Sequence, residues 1–573
     1  MMLPAAALST RIAERLSWPA SVRRFLIVTL GFIVLTAAMT APLLWRITDA
    51  LPDHDDAYFS VWRLAWIAHQ LPQAPAKLFD ANIFHPTHGA LLFSDAMVLL
   101  GLAGTLPIRL GVHPVVVHNV LLFFGFVFSG VGAFVLARSL TGQTGPAMLA
   151  GIIFAFAPYR FGHIGHLELQ WACWMPLALW ATHRLFDQGL MRYGALLGLF
   201  LALQGFSSLY YLALFVPFFV VVLAVLADRR PAAIWKKRVT GLCAAALIVA
   251  VVLGPYLLVY YASHFEHPPR SPAEVAQYSA SLSSHLRVAP SNRLYRFLRN
   301  PVDADELSLF PGVIAIAFAA LAFRGRTSRL VGAYAAGLLV AFVLSLGPRG
   351  GLFSLVRLAV PPLASLRAPA RADILVLLSL AVLSAFGARG LMTGWQRSTR
   401  VVALTVVCLV CLGEYWSGPM RMIRPVLRAP LAYQWLARQP ADTVLLALPA
   451  SVPKINYEAL NEYLSIYHWQ RLVNGYSGFS PPSYVTTQAL LRTFPDPASI
   501  ERLRALSVSY VVVNMDLYPP DEYGRVARRL ASDPNFDSPL EFRDPLFRAV
   551  VFPLRPDERR EPAGGDRAAV GAR

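Results

Sequence analysis

The sequence alternates between long apolar segments and short polar segments over its first 416 residues. A helix needs roughly 20 apolar residues to cross the hydrocarbon core of a bilayer. About eleven segments approach this length, and we expect between ten and thirteen spans. The predicted spans are residues 25–45, 114–137, 146–160, 169–186, 192–208, 209–227, 239–261, 307–323, 329–346, 372–391 and 400–416. The pattern therefore predicts a polytopic α-helical membrane protein.

The segment at residues 95–111 is apolar but does not fit this series. It is short and contains Gly101, Gly104 and Pro107, which suits an interfacial or re-entrant element packed against protein. With this segment outside the membrane, the predicted cytoplasmic pieces hold 18 Lys and Arg against 3 acids, whereas the first outer loop, residues 46–112, holds 4 against 6. The positive-inside rule then gives one orientation throughout, with a cytoplasmic N-terminus. If the segment spans, every later loop changes sides.

The amino-acid composition supports a membrane protein and argues against one other class. Hydrophobic residues make up 56% of the chain and charged residues only 15%, against roughly 25% in ordinary soluble domains. Most of the excess behind the net charge of +18 lies in short loops, where the positive-inside rule explains it. We therefore expect contacts with membrane lipids and no nucleic-acid partner.

The chain becomes more polar after Trp416, and the alternation of apolar segments with helical patterns there predicts a small α/β domain. Residues 443–448 and 509–514 are predicted strands, and residues 458–466 and 498–506 are predicted helices. The predicted layout is a cytoplasmic N-terminus at 1–24, a transmembrane domain at 25–416 with outer loops at 46–112, 262–306 and 347–371, a soluble extracytoplasmic domain at 417–555 and a disordered tail at 556–573.

Three carboxylates stand shortly after the first predicted span, at Asp53, Asp55 and Asp56. From Asp56 onward, aromatic residues recur at helical spacing, which predicts an amphipathic helix on the outer membrane surface. Capping and the helix dipole explain one acid at a helix start. Three acids within four residues exceed that need, and interacting carboxylates favour acid–base chemistry. We therefore take all three as candidate catalytic residues.

A second polar group follows the third predicted span on the same outer side and consists of His163, His166 and Glu168. The two histidines are three residues apart, so that on a helix they share one face. These side chains either cap two short spans or ligate a divalent cation such as Mg²⁺ or Mn²⁺, which His and carboxylate groups suit. The spacing matches no zinc motif, so the identity of any metal stays unknown.

Four arginines lie on the predicted outer loop at residues 347–371, against the positive-inside trend. They are Arg349, Arg357, Arg367 and Arg371. Guanidinium groups bind phosphate through two parallel hydrogen bonds, and lipid phosphates lie at this depth. General attraction to anionic lipid is the alternative. The sequence leaves both interpretations open for Arg367 and Arg371.

These motifs resemble those of the GT-C superfamily of membrane glycosyltransferases, and within it those of bacterial proteins of the YfhO type. Asp56 stands six residues before Trp62 in a Trp-Arg-Leu-Ala-Trp sequence. Residues 154–171 read FAFAPYRFGHIGHLELQW, and Arg367 and Arg371 enclose an Arg-x-Pro-x-Arg segment. The resemblance covers residues 25–416 and implies the GT-C fold.

The resemblance also implies an activity, namely sugar transfer by an enzyme of hexosyltransferase type in the inner membrane of a bacterial cell. The donor would be a polyprenyl-phosphate sugar, and the acceptor a glycan, lipid or protein of the cell envelope. Two alternatives remain open, a non-catalytic assembly protein and a flippase or transporter of lipid-linked saccharides. A transporter would need ionisable residues deep within its spans, and the sequence shows few.

By the same resemblance, each candidate residue has an implied role. Asp56, helped by Asp55, would be the general base that activates an acceptor hydroxyl. His166 and Glu168 would orient the acceptor or hold a cation, and the two arginines of the Arg-x-Pro-x-Arg segment would stabilise the leaving lipid phosphate. Some better-known members have an aspartate in the second motif, where this chain has Glu168, which leaves metal dependence open.

Overall fold

The computed structural model describes most of the chain. The described residues are 20–227, 231–264, 270–299, 305–324, 328–359, 365–452, 455–545 and 547–556. Most of the predicted cytoplasmic N-terminus, residues 1–19, and all but the first residue of the predicted disordered tail, residues 557–573, therefore lie outside the described residues.

The chain forms two compact units. The helical unit comprises residues up to 52, residues 97–100 and residues 115–423. The mixed unit comprises residues 53–96, residues 101–114 and residues from 424 onward. This division differs from the sequence analysis, which assigned the whole of the first outer loop to the transmembrane domain.

Helices account for most of the helical unit. They are Ala20–Met39, Pro114–Thr141, Thr144–Phe156, Pro158–Gly162, Leu167–Gln170, Trp174–Gln188, Met191–Ser207, Leu209–Leu226, Ala232–Ile248, Gly254–His264, Pro272–Gln277, Val313–Leu321, Arg329–Ser345, Leu352–Ala359, Asp373–Leu391 and Arg397–Glu414. Each of the eleven predicted spans overlaps one of these helices.

Among the described residues, five helical segments are long and apolar enough to cross a membrane. They are Val22–Met39, Pro114–Thr141, Leu209–Leu226, Ile234–Ser263 and Pro369–Leu391. Several of the remaining helices are shorter than a bilayer requires, so the count of eleven spans stays a prediction. The predicted non-spanning segment contains the helix Val98–Arg109, whose 12 residues extend about 18 Å at 1.5 Å per residue, well short of the ~30 Å hydrocarbon core.

The helix Asp373–Leu391 lies at the centre of the helical unit, and its residues are buried almost throughout. It packs against Thr144–Phe156, Val313–Leu321 and Arg329–Ser345. Close approach of the neighbouring helices depends on glycine, because a Cβ atom on Gly151 would lie 2.8 Å from the backbone oxygen of Gly130. This contact sets the spacing between Thr144–Phe156 and Pro114–Thr141.

The mixed unit contains a sheet of five strands and a separate two-stranded pair. The strands are β1 (Val444–Leu448), β2 (Ser451–Val452), β3 (Ile455–Asn456), β4 (Arg471–Leu472), β5 (Tyr510–Asn514), β6 (Leu540–Phe542) and β7 (Ala549–Pro553). The order in the larger sheet is β4-β1-β5-β7-β6, with β4, β1 and β5 parallel and β7 and β6 antiparallel. Strand β1 is buried at every position, as its continuous apolar sequence predicts.

The other helices of the mixed unit are Asp55–Gln70, Leu431–Leu436, Glu458–Leu464, Pro482–Leu491, Pro497–Ala505 and Pro520–Ala531. The strands and helices predicted from the sequence coincide with β1, β5 and two of these helices to within two residues. Part of the first outer loop belongs here because it completes the sheet edge. Leu472 N–H donates to Asn82 O at 2.8 Å, and Phe84 N–H donates to Asn474 O at 2.9 Å, which satisfies backbone groups beside β4.

The helix Asp55–Gln70 begins within one residue of its predicted start, but its surroundings differ from the prediction. The aromatic pattern predicted a helix on the membrane surface with one polar face. In the structure every residue from Ala57 to Ala68 is buried. The prediction was wrong because the aromatic side chains pack on protein: Tyr58 contacts Tyr463, with ring centroids 4.9 Å apart.

Glu414 gives a test of the helical unit. Its buried carboxylate accepts the N–H groups of Val313 and Ile314 and the hydroxyl of Tyr295, so it satisfies the N-terminus of Val313–Leu321. We expect Glu414→Ala to lower the free energy of unfolding by about 3 kcal/mol, because charge-assisted hydrogen bonds to buried donors are lost. Thermal melting in detergent checks this. Glu501→Ala, at an exposed position, is the control, and equal melting of the two variants would contradict the assignment.

Candidate functional site

A tight turn in the helical unit brings together most of the second predicted polar group. The helix Thr144–Phe156 ends before Pro158, which starts the short helix Pro158–Gly162 because proline suits the first helical position. Arg160 is fully buried and donates to the backbone oxygen of Gln170 at 2.8 Å. This bond connects the two ends of the turn, so Arg160 stabilises the arrangement of Pro158–Gly162 and Leu167–Gln170.

His163 and His166 do not share a helix face, contrary to the prediction. Pro158–Gly162 ends before His163, and His166 precedes the next helix, Leu167–Gln170. The turn nevertheless places their ring centroids 6.1 Å apart. His163 Nδ1 lies 2.9 Å from the backbone oxygen of Tyr159, and because a carbonyl only accepts, Nδ1 carries the proton there.

Glu306 and Arg371 form a two-pronged ion pair beside these histidines. Arg371 Nε lies 2.6 Å from Glu306 Oε1, and Nη2 lies 3.1 Å from Oε2, which is the geometry of a bidentate guanidinium–carboxylate pair. The side chain of Arg371 is only 9% exposed and that of Glu306 only 15%. Arg371 Nη2 also donates to His166 Nε2 at 2.9 Å, and His163 Nε2 lies 3.4 Å from Glu306 Oε1. Four side chains from three distant segments therefore form one buried cluster.

Tyrosine rings cover this cluster. The ring centroid of Tyr210 lies 5.0 Å from Cζ of the Arg371 guanidinium. The Tyr210 hydroxyl accepts the N–H of Ala368 at 2.5 Å. Tyr159 and Tyr211 join through their hydroxyls at 3.1 Å. The rings lower the local polarity around Arg371 and so strengthen its electrostatic interactions.

The pKa of Glu306 reflects two opposing effects. Burial raises it, but the charge of Arg371, the hydrogen bonds that Arg371 donates and the neighbouring His163 outweigh burial, so the pKa of Glu306 lies well below its ordinary value. Glu306 is therefore ionised at neutral pH. Its charge balances that of Arg371 inside the cluster.

The four arginines of the predicted outer loop at residues 347–371, of which Arg367 and Arg371 are the predicted phosphate-binding pair, have different surroundings. Arg349 donates to the backbone oxygens of Ser279 and Ala280 at 3.3 Å, and Arg357 donates to a backbone oxygen at 3.5 Å. These two anchor the chain. Arg371 is matched by its carboxylate, as described above. Arg367 is half-buried, with its guanidinium 5.1 Å from the ring centroid of Tyr278.

Arg371 lies against the Glu306 and His166 side chains, which are the groups of this cluster that suit a divalent cation. The guanidinium of Arg371 donates to both oxygens of Glu306 and to His166, so it supplies the positive charge at these groups. Glu168 is buried in the helix Leu167–Gln170. In the part of the chain that the structure describes, no group of three or more His, Cys, Asp or Glu side chains is arranged to hold a metal.

The three predicted carboxylates lie in the mixed unit and have different partners. Asp55 Oδ1 lies 2.5 Å from His54 Nδ1, and Asp53 Oδ1 accepts the backbone N–H of His54 at 2.8 Å. Asp56 Oδ1 instead accepts the hydroxyl of Tyr476 at 2.9 Å. The hydrogen bond that His54 donates to Asp55 raises the pKa of His54, although burial opposes it. The three carboxylates were predicted to share a catalytic role, but their partners differ. Asp53 and Asp55 interact with His54, and Asp56 interacts with Tyr476.

Several residues of these sites were missed by the sequence analysis, among them Glu306, Tyr210 and Tyr476. Glu306 follows another acid directly before an apolar segment, and such a position is a usable signal. Tyr476 lies 420 residues from its partner Asp56, and no local pattern marks it.

Glu306 gives a pH-dependent test. Because its pKa is lower in the folded protein than the unfolded value near 4.3, the stability from the ion pair is present above about pH 4.3 and is lost as the pH falls toward the folded pKa. We expect the melting temperature of the wild type to fall on acidification below about pH 4. Glu306→Gln should be less stable at pH 7 by about 3 kcal/mol, because it leaves Arg371 buried without a counter-charge, and less sensitive to acid. Parallel curves for Glu306→Gln and the exposed control Glu541→Gln would contradict this.

No family model matches the chain, and no curated protein matches it. Solved structures do match. The arabinofuranosyltransferase AftD from mycobacteria gives a TM-score of 0.63 at 17% identity over 94% of this chain, but only 40% of AftD is covered. The chain thus spans about two fifths of that protein.

ArnT from Cupriavidus metallidurans matches over nearly the full length of both proteins. The structure bound to undecaprenyl phosphate gives a TM-score of 0.52 at 13% identity and covers 94% of this chain and 98% of ArnT. The apo structure gives 0.51 at 15% identity. Identities this low show the fold alone. AftD and ArnT are both GT-C glycosyltransferases, and this protein is a membrane protein with the GT-C fold.

Proposed function

We propose that the protein is a membrane glycosyltransferase, of hexosyltransferase type, that transfers a sugar from a polyprenyl-phosphate-linked donor to a cell-envelope acceptor on the outer face of a bacterial inner membrane. The observation that carries this proposal is the similarity to ArnT bound to undecaprenyl phosphate over nearly the whole of both chains. We propose that the acceptor is a glycan, a lipid or a protein of the cell envelope.

On the donor side, Arg367 is the residue we expect to contact the lipid phosphate. Its guanidinium is partly exposed and is supported from below by the ring of Tyr278. Arg270 lies close enough to interact with it electrostatically. Arg270 itself pairs with Glu274 at 2.8 Å, so Arg367 is the group that we expect to bind the phosphate oxygens and stabilise charge as the phosphate leaves. Arg371 supports this region from the buried cluster, because it is already paired with Glu306.

On the acceptor side, Asp56 is the residue we expect to act as general base. An acceptor hydroxyl would lose its proton to the Asp56 carboxylate while its oxygen bonds to the anomeric carbon. The bond from that carbon to the phosphate oxygen breaks, and polyprenyl phosphate leaves with the electron pair. Asp55 and Asp53 stay in supporting roles in this proposal, since both interact with His54.

One observation favours a transporter as the second candidate. Asp373 is fully buried near the start of the apolar segment Pro369–Leu391, and its carboxylate lies 3.6 Å from His285 Nε2. Ionisable groups within spans often mark transport pathways. The position close to the segment end makes this argument weaker than the similarity to ArnT.

An assay with a panel of synthetic polyprenyl-phosphate sugars tests the glycosyltransferase proposal. We expect the purified wild type to transfer or hydrolyse one donor. Asp56→Asn should bind that donor and turn over at least about 100-fold more slowly, as expected when a general base is lost. Asp521→Asn, an 80% exposed carboxylate in the mixed unit, is the matched control and should behave as wild type. A wild type that binds donor but is inactive with every acceptor and added cation would refute the proposal.

Arg367 gives an independent prediction on the donor side. Arg367→Ala should reduce kcat/KM for the donor by on the order of 10-fold or more, because a partner of the lipid phosphate is removed. Arg555→Ala, an exposed arginine of the mixed unit, controls for loss of positive charge. Unchanged kinetics of Arg367→Ala would show that the phosphate binds elsewhere.

A further inference from the structure

The loop at residues 474–478 of the mixed unit carries a tyrosine whose hydroxyl meets a candidate catalytic carboxylate. Tyr476 Oη donates to Asp56 Oδ1 at 2.9 Å, and its ring packs edge-on against Phe59 with the centroids 5.5 Å apart. We propose that Tyr476 is a positioning residue for Asp56. This inference rests on the proposed function, in which Asp56 accepts the proton of the acceptor hydroxyl.

The start of the loop is attached to the central sheet. The side chain of Asn474, fully buried, accepts the N–H of Ala447 at 2.7 Å and donates to the backbone oxygen of Ala447 at 3.0 Å. Its backbone oxygen accepts the N–H of Phe84 at 2.9 Å. Asn474 therefore connects the loop to strand β1 and to the segment that follows the helix of Asp56.

Glycines on both sides of Tyr476 allow the loop to approach its neighbours closely. A Cβ atom on Gly475 would lie 2.7 Å from ring atoms of Phe84, and one on Gly478 would lie 2.8 Å from the backbone oxygen of Phe93. Real Cβ atoms do not approach other atoms so closely, so larger residues would displace the loop. The position of Tyr476 depends on this close packing.

A buried carboxyl group holds the backbone of Tyr476. Its N–H donates to Glu462 Oε2 at 2.9 Å, and Glu462 is completely buried. Burial raises the pKa of Glu462 well above its ordinary value, against the opposing effects of the Tyr476 N–H and the charge of Arg63. One turn earlier in the same helix, Glu458 accepts from Asn474 at 2.9 Å, and burial raises the pKa of Glu458 to about 7.

Buried carboxyl groups destabilise a fold unless specific partners form hydrogen bonds with them. Here both contact the loop of Tyr476, one at its backbone and the other through Asn474. A hydroxyl that donates to one carboxylate oxygen restricts the rotation of the carboxylate and stabilises its charged form. The charged form is the one that a general base needs. The loop thus has the features of an element that orients Asp56.

The test compares two tyrosine variants. Tyr476→Phe removes the hydroxyl and keeps the ring contact, whereas Tyr467→Phe removes a hydroxyl that donates to Val426 O at 2.7 Å in the same unit. We expect Tyr476→Phe to move the acidic limb of the kcat/KM profile to higher pH by on the order of one unit, because a carboxylate without its donor is protonated more readily. The profile of Tyr467→Phe should overlay that of the wild type.

A double-mutant cycle with Asp56→Ala gives a readout that does not require activity. If the hydroxyl and carboxylate interact, Tyr476→Phe lowers the melting temperature less in the Asp56→Ala background than in the wild type. Additive effects would overturn the inference because the contact would be absent. Coupling without a shift of the acidic limb, in an active enzyme, would overturn it in favour of a structural role. An inactive wild type would refute the proposed function itself, and the positioning role with it.

Discussion

The buried ion pair between Glu306 and Arg371 connects parts of the helical unit that are far apart in the sequence. Arg371 stands two residues before the buried central helix, and Glu306 stands seven residues before Val313–Leu321, a helix that packs on it. Through His163 and His166 the same pair contacts the turn after the third predicted span. A buried charge is stable only with a partner, so these segments must assemble together. The ring of Tyr210 packs on the guanidinium of Arg371, and Tyr159 and Tyr211 are joined through their hydroxyls.

The carboxylates of the mixed unit show how neighbouring residues of one type come to differ in role. Asp53 and Asp55 both interact with His54, whose pKa is raised by the bond to Asp55. Asp56, one residue later, faces Tyr476 from the C-terminal part of the chain. Helical geometry points successive side chains about 100° apart, so adjacent acids meet different surroundings. One of the three is thereby separated from the others for the proposed proton transfer.

Both units place ionisable groups in buried surroundings and satisfy them with specific partners. In the helical unit the partner is an opposite charge, which lowers the pKa of Glu306 although burial opposes it. In the mixed unit the partners of Glu458 are neutral amide and hydroxyl groups, and burial raises its pKa to about 7. Charge pairing therefore keeps one carboxylate ionised, while neutral hydrogen bonding leaves the other near its titration point.

The sequence by itself determined the membrane character, the positions of the helices, the strands β1 and β5 and the start of the helix at Asp55. These features follow from local apolar patterns, which burial in lipid or in a sheet requires directly. Tertiary structure alone decided that the aromatic helix is buried, that His163 and His166 meet across a turn, that Glu306 neutralises Arg371 and that Tyr476 reaches Asp56. Those contacts join residues up to 420 positions apart, and no local pattern encodes the partner of a buried polar group.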